Sequence, residues 1–205
     1  LLYHSGLRAI FPQVREAVAS IIDPSELRWI AFCHFEADEC GALNEWLAEA
    51  PDALPLCSIV SAQISVNDVA DRPARELIEG DSFSTGERTW RFIQTPQMPH
   101  GWDAGHLFDE SSGLLLCSDL LHHNGDVEPI TEDDCVARMR EMVERFEQGP
   151  FAGYFPYTAQ TDGHVQRLAD LEPTICATMH GSAYRGDGKQ ALTGMAEMLR
   201  AVLGG

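Results

Sequence analysis

Basic residues are scarce. Against 32 aspartates and glutamates the 205-residue chain sets only 14 lysines and arginines, a formal charge of −18. Proteins that grip nucleic acid or anionic lipid do so through Lys and Arg that displace counterions, so neither is an expected partner. Long apolar runs are also lacking. Stretches such as Leu114–Cys117 fall far short of the roughly 20 residues a spanning helix needs. No Cys-x-x-Cys pair occurs either. Cys33, Cys40, Cys57, Cys117, Cys135 and Cys176 are scattered, several of them inside apolar runs such as LLLCS and TICAT. Thiols so placed pack as small hydrophobes, a better reading than a disulfide framework or a thiolate zinc site, and a reducing, cytoplasmic setting is the expectation. Internal repeats, low-complexity segments and Pro/Gly/Ser-rich linkers are missing too, so residues 1–205 are expected to form one domain.

What is present is an ordinary globular balance, 44% hydrophobic and 22% charged, which excludes disorder, collagen-like and coiled-coil chains. Short β-branched or aromatic runs alternate with amphipathic stretches, the pattern of helices flanking a sheet, and the fold class is α/β. Strands are expected at residues 28–33, 56–60, 88–95, 105–108, 114–118 and 174–178. LLYHSG at the start reads as the tail of a strand running into a glycine turn, so residues upstream of Leu1 are expected. From Thr131, read as an N-cap with Asp134 at the third position, Val136, Met139, Val143 and Phe146 form one stripe of a 3.6-residue helix. Leu192, Met195, Leu199 and Val202 repeat that logic near the C-terminus, and residues 13–22 and 40–50 are shorter versions of it. The Met-bearing stripes read as core.

The chemistry concentrates in Cys33–Cys40, C-H-F-E-A-D-E-C, between an expected strand and an expected helix. Loops at the carboxyl ends of strands are where α/β sheets display ligand-binding side chains. His34, Glu36 and Asp38 alternate, so an extended backbone puts all three on one side. A solvated acidic loop capping the next helix is the bland alternative for such a motif alone. Further polar residues stand at later strand ends: His100 after Gln94-Thr95-Pro96, Asp119 directly after LLLCS, and His180 after TICATM. Three imidazoles and three carboxylates are an inventory for two first-row ions with one carboxylate bridging, and so much oxygen favours iron or manganese over zinc.

The order His34-x-Glu36-x-Asp38, His100 before an aromatic residue and Asp103, Ser118-Asp119, and His180-Gly181 resembles the diiron domain of the flavo-diiron proteins. The likeness extends to spacing, with 61 residues between Asp38 and His100, 18 from there to Asp119 and 60 more to His180. The resemblance implies a metallo-β-lactamase-like αββα sandwich whose opening strands lie upstream of Leu1. It implies that His34, Glu36 and His100 hold one iron, that Asp38 and His180 hold the other, and that Asp119 bridges them. Hydrolases of that fold usually read HxHxDH, so Glu36 is the residue that turns a nitrogen-rich zinc site into a carboxylate-rich one. Most family members carry histidine where this chain has Glu39. Glu39 could ligate, hydrogen-bond a bound ligand or cap the helix.

Around this set, ligating imidazoles should donate their second N–H, which makes Asp103, His122 and His123 candidates for supporting contacts. An exposed turn is the alternative for the two adjacent histidines. Tyr184 could offer its hydroxyl to bound oxygen or merely pack. His4, His106 and His164 are read as structural. The FMN-binding flavodoxin domain of flavo-diiron reductases has no counterpart in this chain, so the expected cofactor is a pair of irons, μ-oxo or peroxo bridged, without FMN. The resemblance then implies a non-haem diiron protein that binds dioxygen in diferric-peroxo form, a sensor or carrier read by a signalling protein, monomeric or homodimeric. The alternatives are an oxygen or nitric oxide reductase fed by an external electron donor, and a binuclear metallohydrolase.

Overall fold

The computed structural model describes residues 1–204, which divide into two compact units: Leu1–Glu79 with Asp103–Gly105, and Gly80–Trp102 with His106 onward. No helix among the described residues is long and apolar enough to cross a membrane.

The first unit is built on a four-stranded sheet in the order β1 (Leu2–Tyr3), β2 (Trp29–Ala31), β3 (Leu54–Ser58), β4 (Arg75–Leu77), parallel throughout. Parallel strands need helical crossovers. They are α1 (Phe11–Ala19), the short α2 (Ala37–Cys40) with α3 (Leu43–Glu49), and an irregular run of α4 (Ile59–Ser61), a π-helical turn and α5 (Asn67–Val69). The apolar face of α3 buries Leu43, Trp46 and Leu47 against Ile30, Phe32 and Cys57. Trp46, wholly enclosed, donates its indole N–H to the Ser5 carbonyl at 2.9 Å and takes Phe11 edge-on, with ring centroids 5.1 Å apart. The helix expected at 40–50 is thus two pieces, because the amide of Ala42 leaves the helical ladder for the Gly6 carbonyl. The strand expected at 56–60 ends at Ser58, whose hydroxyl accepts the Ser61 N–H and starts a helical turn.

The second unit carries a mixed seven-stranded sheet in the order β5 (Ser82–Thr85), β6 (Arg88–Gln94), β7 (Gly105–Asp109), β8 (Leu114–Ser118), β10 (Ile175–Thr178), β11 (Ala183–Arg185), β9 (Ile130–Thr131). Strands β8 and β10 run parallel. Three helices, α6 (Cys135–Glu147), α7 (Thr161–Ala169) and α8 (Gly188–Leu203), bury Met139, Met142, Val143, Val165, Leu168, Leu192, Met195 and Leu199 with Leu115 and Cys117 of β8. The Met stripes are therefore core. The cap of α6 differs from expectation: Asp134, not Thr131, accepts the Ala137 N–H at 2.9 Å. Thr131 is held in β9 opposite Tyr184 and accepts the Asp133 N–H instead.

Candidate metal centre

Each unit presents potential metal donors on loops at strand ends. In the first unit β2 closes at Ala31 and the chain bends through Cys33–Phe35, the Glu36 N–H turning back to the His34 carbonyl at 3.0 Å, before Glu36 stands as the N-cap residue of α2. His34 is buried, and its Nε2 lies 3.0 Å from Glu36 Oε2, a carboxylate that is half exposed. Donor atoms about 2.1 Å from a shared ion stand about 3.0 Å apart at a right angle and about 4.2 Å apart when opposed, so this pair fits one ion.

Beneath that pair sits Glu39, 1% exposed. Its Oε2 accepts the N–H groups of both Cys33 and His34 at 2.8 Å, while Oε1 lies 3.3 Å from His34 Nδ1 and 3.3 Å from His4 Nε2. Glu39 thus straps the loop and faces the imidazole nitrogen opposite the one turned to Glu36, an arrangement that orients a metal-binding histidine. Of the roles open to it in the sequence, helix capping is not what it performs, since the amides it holds precede α2. Asp103 acts similarly, its Oδ2 accepting the Phe35 N–H at 2.9 Å. Burial disfavours a charged His34, yet hydrogen bonding to the Cys33 and Glu36 side chains and the charge of Glu39 outweigh it and push the imidazole up to about 12. Asp38, half-buried on the first turn of α2, joins no group of three or more donor atoms among the described residues.

In the second unit the parallel pairing of β8 and β10 sets Ser118 opposite Thr178, and the Met179 N–H reaches the Ser118 carbonyl at 2.7 Å. The two strands therefore end together, and the residues that follow, Asp119 and His180, emerge side by side. Asp119 is 2% exposed, on a turn where Ser118 (φ 51°) and Leu121 (φ 62°) both adopt left-handed backbone, a strain that clusters at functional sites. Its Oδ1 lies 3.6 Å from His180 Nε2 and its Oδ2 3.8 Å from His100 Nε2. Both distances fall in the window for shared ions, and each carboxylate oxygen addresses a different imidazole, as a carboxylate bridging two ions must. The donor set fits a dinuclear centre of carboxylate oxygen and imidazole nitrogen.

His122 and His123 do not form the exposed turn that adjacent histidines suggest; both are buried. His122 stacks on His180 with ring centroids 4.5 Å apart, its Nδ1 3.3 Å from the Tyr154 hydroxyl and its Nε2 3.3 Å from Asn124 Oδ1. The Tyr154 ring in turn lies 4.6 Å from the His100 ring. No motif in the sequence singles out Tyr154; a tyrosine in an aromatic-rich loop is too common a signal. Tyr184, by contrast, packs on the core and lines a depression with Asp134, Val136 and Gln190. His106 is fully buried between the carbonyls of Leu116 (3.1 Å) and Met98 (3.3 Å), fastening the segment before His100 to β8.

The chain is 27% identical over 174 residues to the rubredoxin-oxygen oxidoreductase of Megalodesulfovibrio gigas, covering 82% of this chain and 42% of that protein. It thus spans less than half the length of this curated relative. Among solved structures, the apo state of the chemotaxis sensor ODP from T. denticola superposes with a TM-score of 0.74 at 20% identity, covering 93% of this chain and 78% of the other. A peroxy diiron species of the chemotaxis sensor ODP gives 0.75 at 20% identity, with 94% and 79% covered. These likenesses give the fold, a metallo-β-lactamase-like arrangement of mixed α/β sheets. A family model described as ODP family beta lactamase matches residues 1–181, running through both compact units, and the chain belongs to that family.

Proposed function

We propose that this protein is a non-haem diiron protein that binds dioxygen and serves as a cytoplasmic oxygen sensor, with a signalling protein as its reader. The observation that carries the reading is Asp119, whose two oxygens address His180 and His100 separately. Membership of the ODP family supports it, as does likeness to a structure described as a peroxy diiron species of a chemotaxis sensor. On this reading His34, Glu36 and His100 hold one iron, Asp38 and His180 the other, and residues 1–205 act as one domain. Two ferrous ions, when bound, supply the electrons for dioxygen chemistry that side chains lack.

The surrounding residues do the rest. Glu39 keeps His34 oriented with Nε2 outward. Tyr154 places its hydroxyl beside His122 Nδ1, holding a proton on a hydrogen bond next to the His180 ring. Phe146 packs edge-on against the His122 and Tyr154 rings and holds them in place.

The second reading, an oxygen reductase fed by an external donor, draws on the similarity to rubredoxin-oxygen oxidoreductase. One experiment separates the two. The protein is reconstituted anaerobically with ferrous iron, assayed for metal, exposed to air in an optical cell, and then given a soluble donor. A new charge-transfer absorption without sustained oxygen consumption supports the sensor. Consumption at about ten turnovers per second, a typical enzymatic rate, makes it a reductase. Zinc in the protein as isolated, with esterase activity and no new absorption after the iron treatment, would replace both readings by a metallohydrolase.

A further inference from the structure

His123 is 2% exposed, and both of its ring nitrogens and its amide are engaged. A backbone N–H can only donate and a carbonyl can only accept, so these contacts fix the tautomer. Nε2 is bare and accepts the Ser182 N–H at 2.9 Å, while Nδ1 carries the proton and donates it to the Leu121 carbonyl at 3.0 Å. The His123 amide points to the His180 carbonyl at 3.4 Å. Between these two attachments lies Gly181, at φ +95°, and a Cβ there would come within 2.6 Å of His123 Nε2. The ring therefore occupies the space that a side chain at position 181 would take. With its only basic nitrogen given to Ser182, His123 is not a metal ligand.

We propose that His123 is a positioning residue: it latches the Gly181–Ser182 segment, and with it His180, to the turn that carries Asp119. The two loops come from strands 60 residues apart in sequence, and the backbone hydrogen bond from Met179 to Ser118 fixes them only at the strand ends. Beyond that point the latch sets where His180 stands relative to Asp119. Ser182 is itself fully buried, so its amide has no water to turn to when the imidazole is removed. The iron consequence of the latch rests on the diiron reading above; the latch itself does not.

The test compares His123→Leu, which keeps bulk but offers no acceptor, with His123→Gln, whose amide oxygen can replace Nε2. In the metal-free protein, amide exchange at Ser182 should accelerate by about tenfold or more in His123→Leu and stay within about threefold of wild type in His123→Gln. Equal protection in wild type and His123→Leu would overturn the proposal, as would equal loss in both variants. Should His123→Leu fail to fold, the wild-type ring decides: a long-range proton–nitrogen spectrum must show Nδ1–H with Nε2 bare, and the opposite tautomer overturns the latch. After reconstitution His123→Leu should hold less than half the iron of wild type while His123→Gln holds nearly all. Full iron in His123→Leu alongside an accelerated Ser182 amide would overturn the positioning role. A wild type that takes up no iron but shows the predicted exchange and tautomer would overturn the diiron reading and leave the latch standing.

Discussion

Asp119 and His180 meet across the parallel pair β8–β10, with Oδ1 3.6 Å from Nε2, each being the first chelating side chain after its strand. That meeting follows from strand register, since Ser118 pairs with Thr178 and both strands stop there. Asp119→Asn should therefore leave the fold in place while lowering the iron content to half or less. Metal analysis after reconstitution, beside thermal unfolding of the metal-free protein, checks this.

Glu39 is expected to matter even without metal. Its carboxylate accepts two backbone N–H groups in a fully enclosed site. Both bonds end on Oε2, so Glu39→Gln can keep them through its one oxygen, whereas Glu39→Leu removes the acceptor altogether. A buried donor left unsatisfied costs about 1–3 kcal/mol, and chemical denaturation of metal-free Glu39→Leu should show a loss of at least that size.

Acid should weaken the second unit through Asp109. Burial of this carboxyl would raise its pKa, but hydrogen bonds from the Ser111 and Ser112 side chains, Arg88 and the Ser111 amide prevail and hold it down to about 2. A pKa lower in the folded chain than in the unfolded one, where Asp titrates near about 3.9, means stability fully present above about pH 4 and lost as pH falls toward 2. The contribution is about 2 kcal/mol, and Asp109→Asn should lack this part of the acid dependence. Urea midpoints at neutral pH and near pH 2.5 measure it.

The thiols should be inert in the native state. All six cysteines are buried, none forms a disulfide among the described residues, and burial pushes Cys40, Cys57 and Cys135 up to about 12. Reaction with an aromatic disulfide reagent should be slow in buffer, with all six thiols reacting once the chain is denatured.

Core substitutions should separate stability from metal chemistry. Met139 is wholly buried on α6 among α8 side chains. Met139→Ala should cost about 2–5 kcal/mol in unfolding free energy yet leave iron uptake by the folded protein unchanged. Loss of metal binding in the folded variant would restore a cofactor role to that stripe.

The readable parts of the sequence are those where one periodicity or one register controls the outcome. Leu114–Ser118 reads as a strand and is one, because an apolar run bounded by turn residues has few other fates. The stripe through Met139 and Val143 likewise places α6 on the core. Strands of two to four residues such as β4, β5, β9 and β11 carry too little pattern to be seen. The supporting contacts are the least legible. That Glu39 turns back to the amides of Cys33 and His34, that Asp103 holds Phe35, and that His123 underlies Gly181 depend on where the backbone brings distant atoms together. The same limit applies to Tyr154, whose hydroxyl reaches a histidine 32 residues away in sequence.

Mössbauer spectroscopy on the protein reconstituted with iron-57 under argon and then exposed to air tests the dinuclear centre most directly. Two ferrous ions per chain should convert together to an antiferromagnetically coupled ferric pair. A single uncoupled ferric ion, or no iron retained at all, would contradict the dinuclear centre.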